Sequence, residues 1–140
     1  IASCLVGSEM CIRDRIHAQC HKPIPEGKDR ISRHWYDLAM LLQHEVGAEA
    51  KNDLGLLEDV IALKSVFYNS GTANYGQCIA GEMNLIPGNE NFARLEDDYY
   101  AMERSGMLNG HFYPLGGIMS DLTALQDHVN QLVLGRQVAV

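Results

Sequence analysis

The chain is 140 residues and 15.5 kDa, enough for one compact domain and too short for two ordinary ones. A content of 46% hydrophobic and 21% charged residues excludes a disordered chain, and a formal net charge of −7 excludes a surface that wraps nucleic acid throughout, because phosphate binding relies on Lys and Arg. No apolar run approaches the roughly 18 residues a membrane helix needs, so no membrane partner is expected, and cysteines without a C-x-x-C pair fit a reducing cytoplasm.

The sequence opens on Ile1 rather than Met and is expected to be a piece of a longer product. Leu5-Val6-Gly7-Ser8-Glu9-Met10-Cys11-Ile12-Arg13-Asp14-Arg15 resembles the translated sequencing-adapter read-through that contaminates assembled environmental sequences. It also lacks the charged start, apolar centre and small-residue cleavage site of a secretory signal. Residues 1–15 are therefore expected to be a non-native artefact with no stable place in the fold. Residues 16–31, broken by Pro23, Pro25 and Gly27, read as a linker, since proline and glycine oppose a regular helix. This linker is basic, with Lys22, Lys28 and Arg30 beside His17 and His21. From His34 onward, five Lys or Arg stand against fourteen Asp or Glu.

A helical domain is expected over 32–135, followed by a short tail, 136–140. Ser32 is positioned to cap a first helix running to about Glu45, with Trp35, Leu38, Leu42 and Val46 on one stripe. A second helix starts after Asn52 or Asp53 and runs to about Tyr68, with Leu56, Val60, Leu63 and Phe67 in register. Ala73 to Asn89 carries Gly76, Gly81, Pro87 and Gly88, and reads as a loop. Asn91 caps a third helix to about Arg104, in which Phe92, Leu95, Tyr99 and Met102 repeat. A fourth, from about Gly117 to Leu134, turns Ile118, Leu122, Leu125, Val129 and Leu132 inward and stops at Gly135. Four amphipathic helices without strand alternation predict an all-α, bundle-like fold.

Chemistry concentrates around Arg33 and Asp37, which are helical i and i+4 neighbours opposite Trp35 and Leu38, with Arg30 and His44 nearby. Guanidinium forks match phosphate geometry, and a carboxylate can orient an arginine or a metal-bound water. The same spacing also describes a solvated helix face with a surface ion pair of little consequence. His17 and His21, with Cys20, have the spacing of a zinc pair, but the prolines follow at once and no Glu lies between them, so no metal site is expected. Lys64 and Asp98 sit at stripe edges of the second and third helices, where a cross-helix ion pair is expected. Walker, G-x-S-x-G and G-x-G-x-x-G motifs are absent from the sequence.

The order Ser32-Arg33-His34-Trp35-Tyr36-Asp37-Leu38, then Leu57-Glu58-x-Val60-x-x-x-Lys64-x-Val66-Phe67-Tyr68, Tyr75, Leu85-Ile86-Pro87, Leu95-x-x-Asp98-Tyr99-x-x-Met102 and Pro114 resembles the C-terminal half of the AbiEii/AbiGii toxin family, over residues 16–132. These are nucleotidyltransferase-fold toxins of bacterial toxin–antitoxin systems that act in phage defence. The resemblance implies an α+β parent with an upstream nucleotidyltransferase domain holding Mg²⁺ and a nucleoside triphosphate. The parent would transfer a nucleotide to an acceptor such as tRNA and would answer to a cognate antitoxin. It further implies catalytic roles for Arg33 and Asp37, which match a late active-site element. Many members carry Asp where this chain has His34, which leaves Asp37 as the acidic candidate. The metal and triphosphate motifs lie outside this chain, which is expected to be inactive alone and to bind neither. The alternative reading is a helical interaction module whose acidic surface docks a basic protein.

Overall fold

The computed structural model describes residues 2–25, 30–67, 73–108 and 111–139, and side chains from Glu9 onward. Within them the chain is helical without a strand. Its elements are α1 (Ala2–Cys20), α2 (Arg33–Leu42), α3 (Glu45–Ala50), α4 (Leu54–Phe67), a 3-10 turn (Tyr75–Ile79), α5 (Asn89–Arg104) and α6 (Leu115–Val138). The all-α expectation holds, with six helices instead of four.

The largest departure is at the N-terminus. Residues 9–15 do have a place in the fold, because α1 runs unbroken through them and lies against α2, α3, α4 and the 3-10 turn. Residues 16–20, read as linker, are the last part of that helix. Nothing after Gly7 interrupts it until Pro23, which cannot continue a helix and biases the residue before it away from helical backbone.

The expected first helix is two. α2 ends at Leu42, His44 turns extended (φ −100°, ψ 157°), and α3 starts at Glu45. Gly47 is what lets the corner close, since a Cβ there would lie 2.3 Å from the Leu41 carbonyl oxygen. Ser32 stands at the start of α2 but makes no side-chain cap; its hydroxyl donates to Asp98 instead. At α4, Asp53 Oδ1 accepts the Leu56 amide at 2.9 Å. The inward residues of α4 are Leu57, Val60 and Ile61, whereas Leu63 and Phe67 are exposed. α4 is apolar on several sides, so its periodicity does not reveal which side faces inward.

α5 and α6 follow their stripes. Leu95, Tyr99 and Met102 are buried, as are Ile118, Leu122, Leu125 and Val129, with Val133 buried in place of Leu132. Asn91 does not cap α5; its amide bridges to the segment after α1, accepting from Ile24 N and donating to Lys22 O, both at 3.0 Å. Gly135 does not stop α6, which continues three residues to Val138, and Arg136 of the expected tail pairs with Glu58 at 2.9 Å.

The segment between the 3-10 turn and α5 has no regular secondary structure and is clamped from both sides. Asn130 of α6 accepts the Met83 amide (2.8 Å) and donates to its carbonyl (2.9 Å), and Gln126 accepts the Leu85 amide (2.7 Å). From the α1 side, His17 Nδ1 accepts the Asn84 amide at 2.9 Å. Side chains thus do what a neighbouring strand would do for buried backbone amides. Trp35 completes the clamp: fully buried, its indole Nε1 donates to the Leu85 carbonyl at 3.0 Å and fixes the rotation of α2.

Candidate functional site

With Trp35 and Leu38 both fully buried, the opposite side of α2 is turned outward. There Arg33 is 62% exposed and Asp37 37%, and the guanidinium Nε lies 3.4 Å from the Asp37 carboxylate. Tyr36, between them, donates its hydroxyl to the His111 carbonyl at 2.8 Å. Arg33, Tyr36 and Asp37 line one wall of a cavity of about 310 Å³ closed by Met102, Met107, Leu108 and His111.

Neither of the other polar residues expected on this face joins it. Arg30 turns to Asp98, its guanidinium 3.6 Å from the carboxylate, so the face carries one arginine. His44 is exposed beyond the end of α2. Asp98, a buried residue of α5, accepts the Ser32 amide at 2.9 Å and the Ser32 hydroxyl. A carboxylate placed among the free amides of a helix start is favoured by both hydrogen bonding and the helix dipole. Asp98 therefore anchors the beginning of α2 and sets the pose of Arg33 and Asp37.

The expected Lys64–Asp98 pair is not formed. Lys64 turns toward α1, donating to the Cys11 carbonyl at 2.8 Å and lying 3.8 Å from the Asp14 carboxylate. α4 packs mainly on α1 and the 3-10 turn rather than on α5, which keeps Lys64 away from Asp98.

Lys64 also belongs to a second concavity, about 590 Å³, lined with Arg15, Lys22, His34 and Tyr75. Its cations, Arg15, Lys22 and Lys64, come from α1, the turn after it and α4, and the His34 imidazole comes from α2. No stretch of the chain shows them as a cluster. Burial, and then the Arg15 guanidinium, hold the His34 imidazole below its usual range, with Asp37 acting against them. His34 thus faces this basic cavity while its neighbours Arg33 and Asp37 face the other.

His17 and His21 approach edge to face, their ring centroids 4.6 Å apart. Both His17 nitrogens are already used: Nδ1 accepts from Asn84, so Nε2 carries the proton and donates to the Asn74 carbonyl at 2.9 Å. Burial pushes its pKa down and keeps the ring neutral. Among the described residues no three His, Cys, Asp or Glu side chains gather where they would hold a metal ion. No described helix is long and apolar enough to cross a membrane. No family model matches the chain, and no curated protein or solved structure resembles it closely enough to be a match.

Proposed function

We propose that the chain is the helical C-terminal portion of an AbiEii-like nucleotidyltransferase toxin of a bacterial toxin–antitoxin system. Its parent transfers a nucleotide from a triphosphate to an acceptor such as tRNA. The observation that carries this reading is the pose of α2. The residues matching the family's late active-site element, Arg33 and Asp37, are left outward by a helix whose other side is locked through Trp35 and Asp98. A pair with only a solubility role needs no such anchoring. The lysines Lys22 and Lys64, lining the cavity together with the neutral His34 imidazole, add a surface suited to phosphate oxygens next to the same helix.

In this reading Arg33 and Asp37 complete an active site whose remainder lies in the upstream nucleotidyltransferase domain. We assign the magnesium ion and the triphosphate to that upstream domain, as the family resemblance implies. The cognate antitoxin would act on the assembled parent in the cytoplasm.

The test is expression of the full-length parent in a bacterial host, with and without Asp37→Asn. Growth arrest by the parent and its loss in the variant, at equal protein level, supports the reading. A variant that still arrests growth favours a helical interaction module with an acidic docking surface.

A further inference from the structure

The inward stripe of α1 changes character at Ile16. From Ile16 to the end of the helix its buried residues carry no charge: Ile16 is apolar, both nitrogens of the neutral His17 ring are bonded, and the Gln19 amide donates to the Pro23 carbonyl at 3.3 Å. Before Ile16, Glu9, Arg13 and Asp14 are each 0–1% exposed, and Met10 is the apolar exception. Glu9 and Arg13 pair with each other at 2.6 Å. Asp14 has no hydrogen-bond partner at either carboxylate oxygen, and its nearest described cation, Lys64, stands 3.8 Å away.

Buried charges are uncommon unless paired, and a buried carboxylate without a hydrogen bond carries an uncompensated loss of hydration. Here three buried charges fall within six residues of one helix, and only two of them, Glu9 and Arg13, satisfy each other. The boundary between the charged and the uncharged part of the buried stripe coincides with the end of the segment that resembles adapter read-through. Two independent observations, one of sequence and one of burial, therefore divide α1 at the same place.

We infer that the seat between α2, α3, α4 and the 3-10 turn belongs to a helix of the longer parent chain that runs directly into Ile16. That helix is apolar or small where this chain has Glu9, Arg13 and Asp14, and residues 9–15 occupy the seat as a foreign segment. Met10 and Ile16, both fully buried, mark the inward line this occupant continues. The inference rests on the burial pattern and the read-through resemblance, and stands apart from the nucleotidyltransferase proposal.

Two experiments test it. Long-read sequencing of the source locus across the codon for Ile16 is expected to show a different in-frame segment, with apolar or small residues at the three positions. Genomic DNA that encodes residues 1–15 as they stand here would overturn the inference. In the full 140-residue chain, replacing Glu9→Leu, Arg13→Leu and Asp14→Ala together is expected to raise the melting midpoint by several degrees. Because that triple change could misfold for reasons of shape, Asp14→Asn alone is measured beside it, and it too is expected to melt higher at pH 8. Midpoints unchanged or lowered in both proteins would mean that the charges belong where they are.

Discussion

Asp98 of α5 accepts the Ser32 backbone amide at 2.9 Å across 66 residues of chain, and through that one carboxylate the start of α2 is fixed to the rest of the molecule. Hydrogen bonds to charged groups contribute about 1.5–3 kcal/mol, and removing one partner also leaves the other buried and unsatisfied. Asp98→Ala is therefore expected to lower unfolding free energy by about 2–4 kcal/mol in denaturant titration. Asp37→Ala on the outward face of the same helix should change it by no more than about 0.5 kcal/mol. Equal effects of the two substitutions would contradict the anchoring role.

Trp35 is the second anchor. Trp35→Phe keeps most of the buried ring but deprives the Leu85 carbonyl of its donor, and is expected to cost about 1–3 kcal/mol. Trp35→Ala should cost about 3–5 kcal/mol, since it opens a cavity in the centre of the core. Thermal melts of the two variants order them directly.

Two glycines give opposite expectations. A Cβ at Gly47 meets the Leu41 carbonyl oxygen at 2.3 Å and Leu42 Cα at 2.7 Å, whereas one at Gly135 meets nothing within 4 Å. Gly47→Ala is expected to destabilise by more than about 1 kcal/mol, because backbone at the α2–α3 corner has to move. Gly135→Ala, within α6, is expected to stabilise by about 0.4–1 kcal/mol through helix propensity and a less flexible unfolded chain. Chemical denaturation of both variants checks the contrast.

The Asp14 carboxyl is pushed up to about 7 from 3.8, by burial foremost, with Lys64 and Arg13 opposing and Glu9 adding to the rise. Below 3.8 both folded and unfolded states carry the proton; between 3.8 and about 7 only the folded state does. Asp14 therefore makes stability fall with rising pH across that window, by about 1.4 kcal/mol per pH unit at its steepest, and adds no slope above it. Glu9, also raised by burial, acts in the same direction, while the lowered His17 and His34 act against both. Subtracting the pH profile of Asp14→Asn from that of the unaltered chain isolates the effect. A difference flat from pH 4 to 7 would contradict it.

Much of the fold is legible in the sequence where a narrow apolar stripe faces a polar one. Leu95, Tyr99 and Met102 of α5, and Ile118 to Val129 of α6, lie where periodicity puts them. α4 is apolar on several sides, so its spacing could not tell Leu57 and Ile61 from Leu63 and Phe67. The break between α2 and α3 depends on the approach of Gly47 to Leu41, a packing event that propensity does not encode. Linear reading singles out Asp98 but gives it Lys64 as partner, because its actual partner, Ser32, is 66 residues away in the chain. The outward pose of Arg33 and Asp37 was readable from helical angles alone. The basic cavity was not, since three separate segments supply Arg15, Lys22 and Lys64.

The central claim, that Arg33 and Asp37 complete a nucleotidyltransferase site in the parent, is tested most directly by label transfer. The purified full-length parent, unaltered and as Asp37→Asn, is incubated with magnesium, labelled nucleoside triphosphates and bulk tRNA. The account predicts label on the tRNA with the unaltered protein and at least a hundredfold less with the variant, at equal melting midpoints. Equal labelling by the two proteins, or no labelling by the unaltered parent with any of the four triphosphates, would contradict it.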